Sequence, residues 1–351
     1  MPNWLGDCVM AMPALRHLSE WLPNAKIYLA GRTQFRDLFA AQPGIAGFAE
    51  APSSGLGKLI KGMAGARRFA REAGLPERFD LGLLFTNSLS TAAWMWRLGP
   101  KIRIGYDTDC RRLFLTNPAP CGGVEKSWHF VRYYMWLIKF AESLLGETGD
   151  VAGKHLESLE EYMTPQLSVG EEAREKARAL LADRGIIGRY AVIAPASAYG
   201  AVKDWPPEHY RRLVEMLNGE LSLPVVVTGA AGQAAVCQSI AEGRKRAINL
   251  AGQTSMREFA GLLAEADLFV GGDSGGAHVA GALGIPTVVI FGITNPTRTR
   301  PAGRLVTSLG EGEEHDVKLS TPEAREAAAK ALAAIAPEAV LAAARETLCN
   351  R

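Results

Sequence analysis

Seven short apolar runs recur at helix-length intervals along this chain: 26–30, 81–85, 190–194, 224–228, 247–250, 267–270 and 286–291. They are rich in β-branched residues and bounded by Gly or Pro, the pattern of strands buried on both faces. Helical periodicity marks 9–22, 57–73, 127–145, 170–184, 207–217, 256–264 and 322–348. Strands separated by helices imply βαβ units and parallel sheets, so the expected fold class is α/β. The polar stretch 146–169, broken at Thr164-Pro165, divides the series. We therefore read two Rossmann-like domains, 1–165 and 166–351, with parallel sheets facing a central cleft. A length of 351 residues allows each its own core. Ligands of such sheets bind beyond the carboxyl ends of the strands, so strand-to-helix junctions carry most weight.

The start of the chain departs from this scheme. Pro2–Asp7 reads as a loop leading into a helix, yet no strand precedes it. Either the first domain lacks its first strand or the true start codon lies upstream, and we favour the second. Intact mass of the protein from its native locus distinguishes them. The 39 basic and 37 acidic residues nearly cancel, which argues against a bulk-electrostatic nucleic-acid binder. Five scattered cysteines with no CxxC pair argue against a disulfide framework or a zinc site and fit a reducing compartment. The first residues have no basic and apolar signal pattern, and no apolar run reaches about 18 residues. The expectation is a cytoplasmic protein, with contact at a membrane surface left open.

Three junctions carry chemistry. Gly271-Gly272-Asp273-Ser274-Gly275-Gly276-Ala277-His278 follows one strand and opens a helix. N–H groups at a helix N-terminus, uncovered at the glycines, form an anion site, to which Ser274 adds a hydroxyl and His278 a ring one turn in. The plainer reading is a helix capped by Asp273 or Ser274. Ser197 to Pro206 follows another strand and places Lys203 in a Gly-containing loop, without Walker A spacing. Lys203 either neutralises a phosphate as a point charge or is an ordinary surface lysine. Asn3-Trp4-Leu5-Gly6-Asp7 sets a carboxylate just before the first helix, either as a cap stabilised by the helix dipole or as a general base.

From Lys58 to Arg112 there are 11 Lys and Arg against 5 Asp and Glu. Such a run is usually a solvated face. Confined to one half, it also suits an anionic partner for the first domain. Asp107-Thr108-Asp109 reads as a DxD metal motif, but Arg103, Arg111 and Arg112 flank it and disfavour a cation, so no metal is expected. Trp94, Met95 and Trp96 read as core packing before lipid contact.

Together these residues resemble the ADP-heptose:lipopolysaccharide heptosyltransferases of glycosyltransferase family 9. The resemblance runs from about Pro2 to Pro301. In the first half its carriers are Pro2 to Asp7, Met10, Pro13-Ala14-Leu15, Asn87-Ser88-Leu89-Ser90, Arg103 to Arg112, Leu115-Thr116, His129 and Tyr133-Tyr134. In the second they are Ser197 to Gly200, Lys203 to His209, Gly252-Gln253-Thr254, Asp273-Ser274-Gly275, His278 and Phe291-Gly292.

The resemblance implies a GT-B architecture, with the donor held by the second domain and the acceptor by the first. It implies inverting transfer of heptose from ADP-heptose, a substrate rather than a cofactor, to the first heptose of the inner core on lipid A–Kdo. Asp7 matches the family's base. Lys203, Asp273, Ser274, Gly275 and His278 match donor-binding positions, with Ser197, Thr228, Gly229 and Gly276 as further donor-binding candidates, and Asn87, Ser88, Arg103, Arg111 and Arg112 are acceptor candidates. Departures are Gln233 where an acidic residue is usual, Asp204 where a basic one is common, and Thr299-Arg300-Pro301 for Thr-Gly-Pro. A Cys-rich stretch near the end is replaced by a polar link and an Ala-rich helix. Two alternatives stay open: a related heptosyltransferase with another acceptor, and a non-catalytic sugar-nucleotide or glycan binder on the same fold. Oligomeric state is not legible.

Overall fold

The computed structural model describes residues 1–51, 66, 70–121, 127–146, 163–197, 200, 203–292, 294–310 and 321–351. The chain divides into two units, Met1–Met163 and Thr164–Arg351. Most of the expected helix 57–73 and most of the boundary stretch 146–169 lie outside the described residues.

The first unit contains α1 (Leu5–Met10), α2 (Met12–Trp21), β1 (Ile27–Gly31), α3 (Arg36–Phe39), β2 (Ile45–Glu50) and β3 (Leu81–Leu84). There follow α4 (Leu89–Leu98), β4 (Ile102–Tyr106), β5 (Asn117–Ala119) and α5 (Phe130–Leu145). β1 pairs parallel with β2, and β3-β4-β5 form a second parallel sheet. The single helix expected over 9–22 is two. Pro13 has no N–H to give the carbonyl one turn back, so α1 ends at Met10 and α2 restarts with Pro13 at its N-terminus. Helix also begins earlier than expected, so Asp7 lies inside α1 rather than ahead of it. His17 of α2 meets Glu142 of α5 at 3.1 Å, and Lys139 meets the same carboxylate at 2.8 Å. The His17 contact joins α2 to α5, and the Lys139 pair lies within α5.

The second unit contains α6 (Glu171–Ala182), β6 (Ala191–Ala194), α7 (Pro207–Glu220), β7 (Val225–Val227), α8 (Ala234–Ala241), β8 (Ala247–Asn249) and α9 (Met256–Ala264). It continues through β9 (Leu268–Gly272), α10 (Gly275–Ala282), β10 (Thr287–Ile290), α11 (Pro296–Thr299), β11 (Val306–Leu309), α12 (Pro322–Ala333) and α13 (Pro337–Cys349). Its six strands form one parallel sheet in the order β11-β10-β9-β6-β7-β8. Ile193, Val225, Val227, Leu268, Val270, Val288 and Ile290 share one core with Leu213, Val214 and Leu217 of α7 and Val340, Leu341 and Ala344 of α13. Each fully buried aliphatic side chain of this kind contributes about 1.5–3 kcal/mol. The Ala-rich helix expected over 322–348 is broken at Pro337, which again lacks the N–H for the preceding turn, and its halves are bent by 61°. No single helix among the described residues is long and apolar enough to cross a membrane.

In the second unit the order of strands along the sheet reverses between β9 and β6. Chains leaving these two neighbours toward opposite sides open a crevice at their carboxyl ends, where ligands of doubly wound sheets bind.

Candidate functional site

The site residues fall into two groups, one in each unit. In the second unit they sit in the loops leaving β6, β7 and β9, three adjacent strands at the reversal point. Lys203 follows β6 and Asp273 follows β9. Their side chains meet, with Lys203 Nζ 2.9 Å from Asp273 Oδ2, and both are largely withdrawn from water at 17% and 10% exposure. Gly272 permits this approach, because a Cβ there would lie 3.2 Å from the Lys203 carbonyl oxygen.

The β6 loop is pinned at Ser197 from both sides. Its N–H donates to Asp204 Oδ1 at 2.7 Å, and its carbonyl accepts from Gln233 Nε2 at 3.1 Å. Gln233 Oε1 also accepts from the Ala230 N–H at 2.8 Å, closing the turn after β7. Gly229 leaves room for that amide, since a Cβ there would stand 2.7 Å from Gln233 Oε1. Burial pushes the Asp204 carboxyl above its ordinary pKa, against the pull of the Ser197 hydrogen bond. Ala198, Tyr199, Ala201 and Val202 of the loop lie outside the described residues. Thr228 is buried at the end of β7, its N–H bonded to the Ile193 carbonyl at 2.8 Å.

Ser274 occupies the N-cap of α10 in extended conformation, yet its hydroxyl makes no cap bond. Among the described residues the buried Ser274 Oγ has no hydrogen-bond partner. The N–H groups of Gly275 and Gly276 open the helix, where no intrahelical acceptor exists. An unpartnered hydroxyl beside first-turn N–H groups and a paired lysine fits an anion better than a capped helix end. His278 is buried one turn further in, its N–H 3.4 Å from the Ser274 carbonyl.

In the first unit Asp7 is half-buried at the third position of α1. Burial raises the Tyr134 phenol well above its ordinary pKa and the Asp7 charge adds to the shift, which sets Asp7 near α5. Burial likewise pushes the neighbouring Cys8 thiol up to about 12, so Cys8 is an inert packing residue.

Among the acceptor candidates, Arg111 is fully buried. Its Nε donates to the Tyr106 carbonyl at 2.6 Å, and its two terminal nitrogens donate to the Thr86 carbonyl and to Asn87 Oδ1. Asn87 Nδ2 donates to Tyr133 Oη at 2.9 Å, and the Tyr133 and Tyr106 rings stack at 4.1 Å. Ser88 caps α4, accepting from the Thr91 N–H. Arg103 donates to the carbonyls of Phe114 and Pro100. Arg112 reaches solvent, at 72% exposure, and pairs with Asp107 at 2.6 Å, so that carboxylate of the DxD triplet is already engaged. Trp94 is core, whereas Trp96 stands exposed against Phe114.

Asp204 and Gln233 read in the sequence only as departures from a pattern, and their clamping of Ser197 emerges from geometry.

A family model described as glycosyltransferase family 9 (heptosyltransferase) matches residues 67–328. Lipooligosaccharide heptosyltransferase 2 of Haemophilus influenzae is 27% identical over 99% of this chain and 98% of its own. Lipopolysaccharide heptosyltransferase 2 of Escherichia coli is 26% identical over 86% of this chain and 83% of its own. The solved structure of E. coli ADP-heptose lps heptosyltransferase II superimposes with a TM-score of 0.78, at 22% identity, over 99% of this chain and 97% of that one. The fold is thus of GT-B type, with two Rossmann-like units.

Proposed function

Because this chain belongs to glycosyltransferase family 9, the heptosyltransferases of lipopolysaccharide inner-core synthesis, we propose that it moves heptose from ADP-heptose to the first heptose of the inner core on lipid A–Kdo, with inversion. The observation that carries this reading is the Lys203–Asp273 pair at the sheet's reversal point, beside the unpartnered Ser274 hydroxyl and the first N–H groups of α10.

In this mechanism the acceptor hydroxyl gives its proton to the Asp7 carboxylate as its oxygen attacks the anomeric carbon. The new glycosidic bond forms while the bond from that carbon to the diphosphate oxygen breaks. ADP leaves with the bonding pair, and a single in-line displacement inverts the configuration. Lys203, Ser274 and the α10 N–H groups receive the charge that develops on the departing diphosphate. Asp273 holds the Lys203 ammonium in place before the donor arrives, and Asp204 and Gln233 fix the loop that carries it. The reaction so drawn uses neither cofactor nor metal, and we place it at the cytoplasmic face of the inner membrane, where the acceptor lipid would be reached.

The test is incubation with ADP-heptose and two purified acceptors, lipid A–Kdo with and without its first heptose. The reading predicts ADP release and a heavier lipid only with the heptose-bearing acceptor. Transfer to the heptose-free lipid would select a different acceptor, and transfer to neither would favour a non-catalytic binder.

A further inference from the structure

Trp4 breaks a local rule. It is the N-cap of α1, a position that favours Ser, Thr, Asp or Asn, and it makes no side-chain cap bond. Its large ring is 49% exposed. A residue that forgoes both cap and burial marks a place where sequence serves something other than folding.

Its neighbours indicate what. Trp4 and Asp7 are the N-cap and N3 residues of α1, within one turn of each other, and the charges of Asp7 and Arg32 both act on the Cys8 thiol. From the end of β1, Arg32 lays its guanidinium over the Trp4 ring, 5.6 Å from the centroid. Arg32 is exposed, and among the described residues no carboxylate pairs with it. An exposed indole and an uncommitted guanidinium therefore stand together beside the carboxylate to which the proposed function gives the acceptor proton.

We infer that Trp4 and Arg32 form an acceptor subsite for a sugar that carries a phosphate. The C–H face of a pyranose bears slight positive charge and stacks on the negative face of an indole. The guanidinium fork binds a phosphate bidentately. Stacking holds the sugar plane, the charge contact sets its rotation about that plane, and together they select which hydroxyl faces Asp7. This inference rests on the reading of Asp7 as the base, and it concerns binding of acceptor rather than transfer.

The experiment is calorimetric titration of the full chain with two heptose-terminated inner-core oligosaccharides, phosphorylated and dephosphorylated, and separately with ADP. Variants are Trp4→Ala, Trp4→Phe and Arg32→Gln, and thermal unfolding verifies that each is folded. Trp4→Ala is expected to weaken both oligosaccharides about tenfold or more, and Trp4→Phe to restore most of that loss. Arg32→Gln is expected to weaken only the phosphorylated one, and ADP affinity to stay within about twofold throughout. Equal loss for both oligosaccharides in Arg32→Gln would overturn the anionic part. Oligosaccharide affinity unchanged in a folded Trp4→Ala, or no binding by the wild-type chain, would overturn the subsite. Wild-type binding that depends on Trp4 but leads to no heptose transfer would support the subsite and sink the proposed function instead.

Discussion

Replacing Arg111 by Met separates the two roles open to this residue. Its guanidinium is fully buried and spends donors on the Tyr106 carbonyl, the Thr86 carbonyl and Asn87 Oδ1. No carboxylate pairs with it among the described residues, and burial lowers its pKa from the ordinary value. Methionine matches the stem but leaves the Thr86 carbonyl without its donor, while the Tyr106 carbonyl keeps the Thr108 N–H and Asn87 Oδ1 keeps the Tyr133 hydroxyl. The three bonds lost are to a charged group, each worth about 1.5–3 kcal/mol. Relief of the buried cation's desolvation offsets part of this, so a net loss of about 3 kcal/mol is expected. For a unit of this size that lowers its unfolding midpoint by roughly 6–12 °C. Differential scanning calorimetry of Arg111→Met should show that fall, because the residue ties the end of β4 to the loop after β3. Arg112→Ala, with its side chain largely in solvent, should shift the midpoint by no more than about 1–2 °C. An unchanged midpoint for Arg111→Met, with a raised acceptor KM, would refute the argument and make Arg111 a ligand-contacting residue.

Two further perturbations address the donor group. Lys203→Ala should weaken ADP about thirtyfold, near 2 kcal/mol, since it strips a buried charge from its partner and the diphosphate from its cation; an unchanged dissociation constant would exclude the phosphate role. Asp204 has a pKa raised by burial, so its protonated form is the one the fold prefers. Its contribution to stability is therefore full below the ordinary carboxylate value and is lost as pH rises through the raised one. Asp204→Asn keeps an oxygen for the Ser197 N–H and should flatten that limb of the stability–pH curve. A curve parallel to wild type would remove Asp204 as its source.

Buried parallel strands were the most legible part of the fold. All seven expected runs are strands. In β6, β7, β9 and β10 burial on both faces forces continuous apolar sequence, as in Val225–Val227 and Thr287–Ile290. By contrast, β1, β3 and β8 are partly buried and carry the signal in their apolar residues alone. The missed strands lack that constraint. β2 and β11 are only partly buried, β4 interleaves Arg103 and Gly105 with its apolar residues, and β5 contains Pro118. α4 is marked in the sequence only at its ends, where Ser88 caps it and Gly99 ends it in left-handed conformation. At the donor loops the glycine and serine pattern pointed to the anion site that Ser274 and α10 form. The arginines were less readable. Sequence gives charge and not direction, so Arg103 and Arg111 read as surface contacts, whereas both bond to backbone carbonyls and only Arg112 stands largely in solvent.

The central claim is a division of labour, with proton abstraction at Asp7 in the first unit and donor holding at Lys203 and α10 in the second. Measuring ADP affinity and turnover together for Asp7→Asn tests it most directly. The account predicts ADP binding within about twofold of wild type and a turnover number lower by about 10²–10⁴, the contribution of a positioned base. Near-normal turnover by Asp7→Asn would contradict it.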